Sequence, residues 1–192
     1  MRKIILASGS KARQKLLKQI GLKFRIVEAN VKESSSLKGK RCSALVIDNA
    51  VKKASAAAKG IDTGVIIAAD TVVLVGKTII GKPKTMADAI RSLRVLSKSP
   101  QWVYTGVAVY DIDRDKMMTD FEKTKVYMLP LDDLQIKKYF RKISPFDKAG
   151  SFDVQGPGSI FIDRIEGCFY NVVGLPLAKL GAMLKKAGVS II

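Results

Sequence analysis

The run Gly64-Val65-Ile66-Ile67-Ala68-Ala69-Asp70-Thr71-Val72-Val73-Leu74-Val75 decides the fold class. It is short, nearly continuous in apolar residues and rich in β-branched ones, which is how a strand buried on both faces of a sheet reads. Gly76-Lys77 then turns it into a short partner at Thr78 to Ile80. One residue breaks the pattern. An ionised carboxylate in such surroundings costs several kcal/mol unless a cation, a hydrogen-bond network or a metal compensates it. Polar residues that interrupt the strand of an open sheet tend to mark its ligand crevice, so Asp70 is the foremost candidate for chemistry. The competing reading is a carboxylate that caps local backbone at a strand end or bulge.

Outward from this strand, apolar runs alternate with amphipathic ones, which is the pattern of an α/β fold. Upstream, Ile4 to Ala7 reads as a first buried strand, Lys11 to Ile20 as the helix after it with Gly21 as its stop, and Phe24 to Val27 as a second strand. The polar stretch Lys32 to Lys40 reads as a loop, and an alanine-rich helix is expected from about Ser43 to Lys59. Downstream, Thr85 with Asp88 three residues on predicts a capped helix to about Ser97. Val103 to Ile112 and Lys116 to Leu129 form a predicted hairpin, and Asp132 to Arg141 a helix. A glycine-rich loop at Phe146 to Gly158, a strand at Ile160 to Ile165 and a last helix opened by Pro176 complete the reading. No internal repeat and no long linker interrupts the chain, which is expected to form a single domain over residues 1–192.

Composition narrows the chemistry. The 192 residues contain no histidine and two cysteines, Cys42 and Cys168, far apart and without C-x-x-C spacing. A Ser-His-Asp triad, a His general base, a His-ligated zinc, a four-cysteine metal site and a disulfide framework are all excluded. What remains is carboxylates, lysines, arginines, hydroxyls, backbone amides and an oxygen-ligated metal such as magnesium. Lys and Arg number 34 against 17 Asp and Glu, a net charge of +17. Such a balance attracts polyanions or phosphorylated metabolites, yet the excess is mostly lysine spread from Lys3 to Lys186 without a dense basic or aromatic-rich block. Diffuse lysine favours a solvated surface over a nucleic-acid face. The apolar run at Ile4 to Ala7 is far too short for a signal peptide or membrane span, so a soluble cytoplasmic protein without a membrane partner is expected.

Several further motifs bear on binding. In Leu6-Ala7-Ser8-Gly9-Ser10-Lys11-Ala12-Arg13 a strand turns abruptly into a helix, leaving backbone N–H groups that suit phosphate oxygens, with Arg13 adding a fork of donors. The plainer alternative makes Ser10 an N-cap and Arg13 a surface residue. Lys53 falls on the helix face shared with Val46, Ala50 and Ala57, where a lysine either snorkels or meets an anion. Gly81-Lys82-Pro83 is a tight turn that aims the Lys82 ammonium, though alone it reads as a common exposed turn. In Asp147-Lys148-Ala149-Gly150-Ser151-Phe152-Asp153-Val154-Gln155-Gly156-Pro157-Gly158 the glycines permit close approach of a ligand, and Gln155 offers paired donor and acceptor to a base edge; a structural hairpin is the alternative.

Taken together, Leu6 to Ser10 with Arg13, Ala69-Asp70-Thr71, Gly81-Lys82-Pro83, Tyr104-Thr105-Gly106, Asp147-Lys148-Ala149-Gly150, Gln155-Gly156 and Asn171-Val172-Val173-Gly174-Leu175-Pro176 resemble the Maf family in order and spacing across essentially the whole chain. The resemblance implies a fold similar to inosine triphosphate pyrophosphatase, with an elongated mixed twisted sheet flanked by helices and two lobes around a central cleft. It implies a nucleoside triphosphate pyrophosphatase, historically linked to inhibition of septum formation, with a homodimer as the family-level expectation. Asp70 matches the proposed proton acceptor near a divalent metal, Mg²⁺ or Mn²⁺. Glu33 matches the second metal-side carboxylate, and Ser8, Ser10, Arg13, Lys53 and Lys82 match substrate and phosphate positions.

Within the family, Thr71 and Gln155 resemble the branch acting on dTTP and UTP, including modified forms such as pseudo-UTP or 5-methyl-UTP. A branch acting on 7-methyl-GTP carries Gln and Glu there. The chain departs from the pyrimidine branch at one specificity position: Ser10-Lys11-Ala12-Arg13 stands where Ser-Pro-Arg-Arg is usual, so the first arginine is Ala12. A 7-methyl-GTP or broader triphosphate specificity is the alternative within the class. A basic nucleic-acid-binding module or a non-catalytic division regulator are the alternatives outside it, and neither needs Asp70 inside an apolar strand.

Overall fold

Strand β1 (Ile4–Leu6) runs parallel to β3 (Val65–Val75), with Ile5 opposite Ile66 and Leu6 opposite Ile67, and parallel on its other side to β2 (Arg25–Ile26). The computed structural model describes residues 2–37, 39–146 and 148–191; Lys38 of the polar loop and Asp147 of the glycine-rich run lie outside the described residues. Strand β4 (Thr78–Ile80) folds back antiparallel on β3 through Gly76, whose φ of 56° suits glycine. With β5 (Gln101–Asp111), β6 (Lys116–Met128) and β7 (Ile162–Glu166), the sheet has seven strands among the described residues, in the order β2-β1-β3-β5-β6-β7, with β4 off this path beside β3. The mixed α/β class expected from the alternating pattern is therefore the observed one.

The helices are α1 (Lys11–Gln19), α2 (Cys42–Ala58), α3 (Met86–Leu96), α4 (Asp133–Phe140), α5 (Phe169–Val173) and α6 (Leu177–Lys186). Their starts follow local chemistry. Thr85 and Asp88 close a reciprocal capping box at α3, Asp132 and Gln135 do the same at α4, and Pro176 precedes α6. Two details differ from the sequence reading. Ile160 and Phe161 belong to a 3-10 turn over Pro157–Phe161, so β7 begins at Ile162 rather than Ile160; Pro157 presets the helical φ and pulls the following residues into the turn. The short α5 was not expected, having five residues and no capping residue to announce it.

The described chain divides into two compact units. The first comprises residues up to Asp70, Thr105–Glu122 and the segment from Gly174 on; the second comprises Thr71–Tyr104 and Lys123–Val173. In the first, Ala50, Ala54 and Ala57 of α2 pack on Ala7, Ile66, Ala68 and Ala108 of the sheet. Small residues on both sides let the helix backbone come unusually close. At Gly106 of β5 a Cβ would lie 2.4 Å from the backbone carbonyl of Val46. The second unit is built on Val73, Val103 and Val126 of its strands, covered by Leu93 and Leu96 of α3, Ile136 and Tyr139 of α4, and Phe152.

Some of the surplus positive charge is accounted for locally. Lys179 pairs with Asp120 and Arg94 with Asp133, while Lys123 and Lys125 lie over the Trp102 ring and Arg164 stacks on Tyr127. These are exposed or part-exposed arrangements, each contributing little to stability.

The seat of α2 on β5 leads to a direct prediction. Because the atoms facing Gly106 are backbone, they have no rotamer by which to yield, and Gly106→Ala is expected to destabilise the chain by about 2 kcal/mol or more. Chemical denaturation measures this; a Gly106→Ala variant as stable as the wild type would contradict so close a seat.

Candidate functional site

In the parallel register of β1 and β3, Leu6 lies opposite Ile67, so β1 ends in the Ser8-Gly9-Ser10 turn while β3 continues past it to Asp70, three residues on and in mid-strand; a turn at the C-terminal end of a parallel strand is where open α/β sheets bind ligands. Side chains alternate along β3, so Asp70 shares the face of Ile66 and Ala68 and points toward α2. It is 4% exposed. The helix supplies two partners one turn apart. Lys53 Nζ donates to Asp70 Oδ1 at 2.7 Å, and Asn49 Nδ2 donates to Asp70 Oδ2 at 2.8 Å.

Lys53 is itself 8% exposed, on the alanine face as the helical pattern predicts, and meets anions rather than snorkelling to solvent. Its ammonium also donates to the Ala69 carbonyl at 3.3 Å and pairs with Glu33 Oε1 at 2.9 Å. One lysine therefore holds two carboxylates from separate parts of the chain. The ammonium therefore has three protein oxygens around it, two through hydrogen bonds and one through an ion pair.

Glu33 comes from the loop between β2 and α2, where residues 27–41 form no helix or strand among those described. Its neighbour Ser34 is fastened to α2 by a two-point clasp: the Ser34 N–H donates to Asn49 Oδ1 at 2.9 Å, and Asn49 Nδ2 donates to the Ser34 carbonyl at 3.0 Å. Lys52 Nζ adds a bond to Ser34 Oγ. Asn49 was not anticipated from sequence. A neutral amide within an alanine-rich helix carries no signal until its partners, 15 and 21 residues away, are brought beside it.

Arg13 sits on the first turn of α1 and is buried rather than at the surface. Its Nε donates to the Gly174 carbonyl at 2.8 Å and its Nη1 to Ser8 Oγ at 3.2 Å. Burial pulls the guanidinium below its ordinary pKa, while the negative charges of Asp70 and Glu33 push it back up. Arg13 is thus electrostatically tied to the carboxylate pair. Ser10 is the N-cap, accepting from the Arg13 N–H, and Ser8 Oγ accepts from the Ser10 N–H. Ala12 is half-buried and Lys11 exposed. Cys42, at the first residue of α2, is buried and free; burial, then the charge of Asp70, pushes its thiol up to about 11, so it is no nucleophile at neutral pH.

The remaining expected site residues belong to the second unit. Thr71 follows Asp70 on β3. Lys82 is exposed in its turn, with Pro83 buried beneath it, at the edge of an open cavity of about 520 Å³ that Lys84, Arg91, Val75 and Val95 also line. The Gly150 N–H donates to the Gly81 carbonyl at 3.2 Å, fastening this turn to the glycine-rich loop. That loop is not a hairpin: it holds a 3-10 turn at Ala149–Ser151 with Gly150 and Ser151 both at positive φ. Gln155 is exposed, its N–H bound to Asp153 Oδ1.

Among the described residues no group of three or more His, Cys, Asp or Glu is placed to hold a metal ion. Asp70 and Glu33 nevertheless reach one and the same cation, the Lys53 ammonium, so two hard oxygen donors already converge on a single positive charge. That donor set fits a divalent cation of the magnesium type, which takes one or two carboxylates and completes its shell with water and substrate phosphates.

A sequence profile described as Maf-like protein matches residues 3–187. A protein of Clostridium botulinum (strain Kyoto) named dTTP/UTP pyrophosphatase is 43% identical over 194 residues, spanning 100% of both chains. One of the same name from Methanosarcina barkeri is 44% identical over 192 residues, spanning 100% of this chain and 97% of its own. Another from Dictyoglomus turgidum is 42% identical over 193 residues and the full length of both chains. Among solved structures, a nucleoside-triphosphatase / dITP/XTP pyrophosphatase of Mycobacterium abscessus aligns with 67% of this chain and 75% of its own, at a TM-score of 0.42 and 16% identity.

Lys53→Met would leave the buried Asp70 carboxylate without its countercharge, at an expected cost of about 3–5 kcal/mol. Adding Asp70→Asn removes the stranded charge and should return part of that loss. Urea denaturation of the two single variants and the double gives the coupling; strictly additive costs would contradict the direct pair.

Proposed function

We propose, from the premise that this chain belongs to the Maf family, that it is a nucleoside triphosphate pyrophosphatase acting on dTTP and UTP. The observation that carries the reading is a buried carboxylate, Asp70, held at both oxygens by Lys53 and Asn49 beside the Ser8 to Arg13 turn. The relatives named dTTP/UTP pyrophosphatase, more than 40% identical over the full chain, support the substrate class. Thr71 and Gln155 support pyrimidines by the resemblance already described, whereas Ala12 removes one guanidinium that the pyrimidine branch usually carries.

The residues divide the work as follows. Each Asp70 oxygen accepts one bond from the protein and keeps a lone pair, so the carboxylate can orient a water and take its proton. The water oxygen attacks the α-phosphorus, a new P–O bond forms, and the bond from that phosphorus to the bridging oxygen breaks. Nucleoside monophosphate and pyrophosphate leave. Negative charge growing on the pyrophosphate is met by Arg13 and by the N–H groups opening α1, with Lys82 assigned to the phosphates by the resemblance. Lys53 acts chiefly by keeping Asp70 and Glu33 in register. Asp70 and Glu33 would hold Mg²⁺ or Mn²⁺, which when bound neutralises triphosphate oxygens. No step calls for histidine, in keeping with a chain that has none.

Among the described residues no helix is long and apolar enough to cross a membrane. A cytoplasmic location is part of the same proposal, as is a homodimeric state, the latter carried by the resemblance.

Pyrophosphate release from dTTP, UTP, GTP and 7-methyl-GTP, with and without Mg²⁺ or Mn²⁺, tests the reading. Release is expected mainly from dTTP and UTP, dependent on the cation, and Asp70→Asn should lower turnover by about 10²- to 10⁴-fold. Wild-type turnover in Asp70→Asn would refute the catalytic role, and release mainly from 7-methyl-GTP would refute the pyrimidine assignment.

A further inference from the structure

We infer that Asn49 is a positioning residue that makes the orientation of Asp70 depend on docking of the Glu33–Ser34 segment, a role that rests on the function proposed above. Asn49 is 1% exposed and both polar atoms of its amide are bonded. One Nδ2 hydrogen goes to Asp70 Oδ2, the other to the Ser34 carbonyl, and Oδ1 accepts the Ser34 N–H. The partners fix which way the amide points. Exchanging oxygen and nitrogen would set Oδ1 against a carboxylate and a carbonyl, and Nδ2 against an N–H.

The clasp answers a need of the backbone. Residues 27–41 lack strand and helix among those described, so Ser34 draws no partner from a ladder, and the Asn49 amide presents to it the donor and acceptor that a neighbouring strand would. Asn49 and Lys53 each touch both this segment and Asp70, but by different chemistry. Lys53 joins them through charge, on the Glu33 side chain. Asn49 joins them through neutral bonds, on the Ser34 backbone, and so aims Oδ2 without adding positive charge beside it.

A consequence follows for the reaction. With the segment docked, Asp70 is held at both oxygens and its free lone pairs have fixed directions. With it displaced, Asn49 loses two of its three bonds, its amide is free to turn, and Oδ2 loses its guide. The Glu33 carboxylate and the orientation of Asp70 therefore arrive together.

Two variants of the full chain separate the halves of this role. Asn49→Asp keeps the shape and the acceptor for the Ser34 N–H, but it removes the donors to Asp70 and to the Ser34 carbonyl and sets a second carboxylate against Asp70. Asn49→Leu removes acceptor and donors alike. Hydrogen exchange at the Ser34 amide in the nucleotide-free protein reads the clasp, and kcat and KM for UTP read the effect on Asp70. For Asn49→Asp, Ser34 should stay protected while kcat falls about 10- to 100-fold with KM changed less than about threefold. For Asn49→Leu, Ser34 exchange should speed up at least about tenfold and kcat should fall at least as far. Asn49→Asp with a kcat within about twofold of wild type would overturn the inference, as would unchanged Ser34 protection in Asn49→Leu. Absence of hydrolysis in the wild-type chain would instead refute the proposed function and with it the catalytic half of this role; the Ser34 exchange separates that failure from a failure of the clasp.

Discussion

A carboxylate placed inside an apolar strand is the constraint around which the first unit is arranged. Asp70 is unfavourable where it stands unless something answers its charge, and α2 provides the answer with one cation and one neutral amide, Lys53 and Asn49. Those short side-chain distances require the helix backbone to lie close to the sheet. The alanines at 50, 54 and 57, facing Ala7, Ala68 and Ala108, and the missing side chain at Gly106 allow that approach. Packing and chemistry are therefore one problem here: bulk added between α2 and the sheet would both strain the core and lift the partners from Asp70.

The second organising element is the direction of the strands. Because β1 and β3 are parallel and Leu6 lies opposite Ile67, the turn after β1 leaves the sheet on the side toward which β3 runs on to Asp70. Arg13 is then held there by its own anchors, the Gly174 carbonyl and Ser8 Oγ, so the run Asn171 to Pro176 contributes a backbone oxygen rather than a reactive side chain. The surplus of positive charge separates into two populations. Lys53 is buried against Asp70 and Glu33 and the buried Arg13 feels their charge, whereas Lys123, Lys125, Arg94 and Lys179 are engaged with rings and carboxylates at the surface.

Much of this could be read before the structure, for identifiable reasons. Strand β3 announced itself because its run is apolar on both faces, and Asp70 because charge is costly there. The sidedness of Lys53 followed from the helical period. The Thr85–Asp88 cap located the start of α3. What escaped reading depended on distance or on weak local signals. Asn49 has no periodicity of its own, and its meaning lies wholly in partners supplied by another loop and another strand. Ile160 and Phe161 looked like the start of a strand, but Pro157 draws them into a turn and leaves Ile160 71% exposed. Glu33 came from family resemblance; an isolated acid in a polar loop becomes distinctive only once Lys53 is seen between it and Asp70.

The central claim is that Asp70 directs water at the α-phosphorus, and the fate of the solvent oxygen tests it most directly. Hydrolysis of UTP in ¹⁸O-labelled water, with products separated by mass spectrometry, should place the label in the nucleoside monophosphate and leave pyrophosphate unlabelled. Label in the pyrophosphate, or release of orthophosphate in its place, would mean attack at a different phosphorus and would contradict the account.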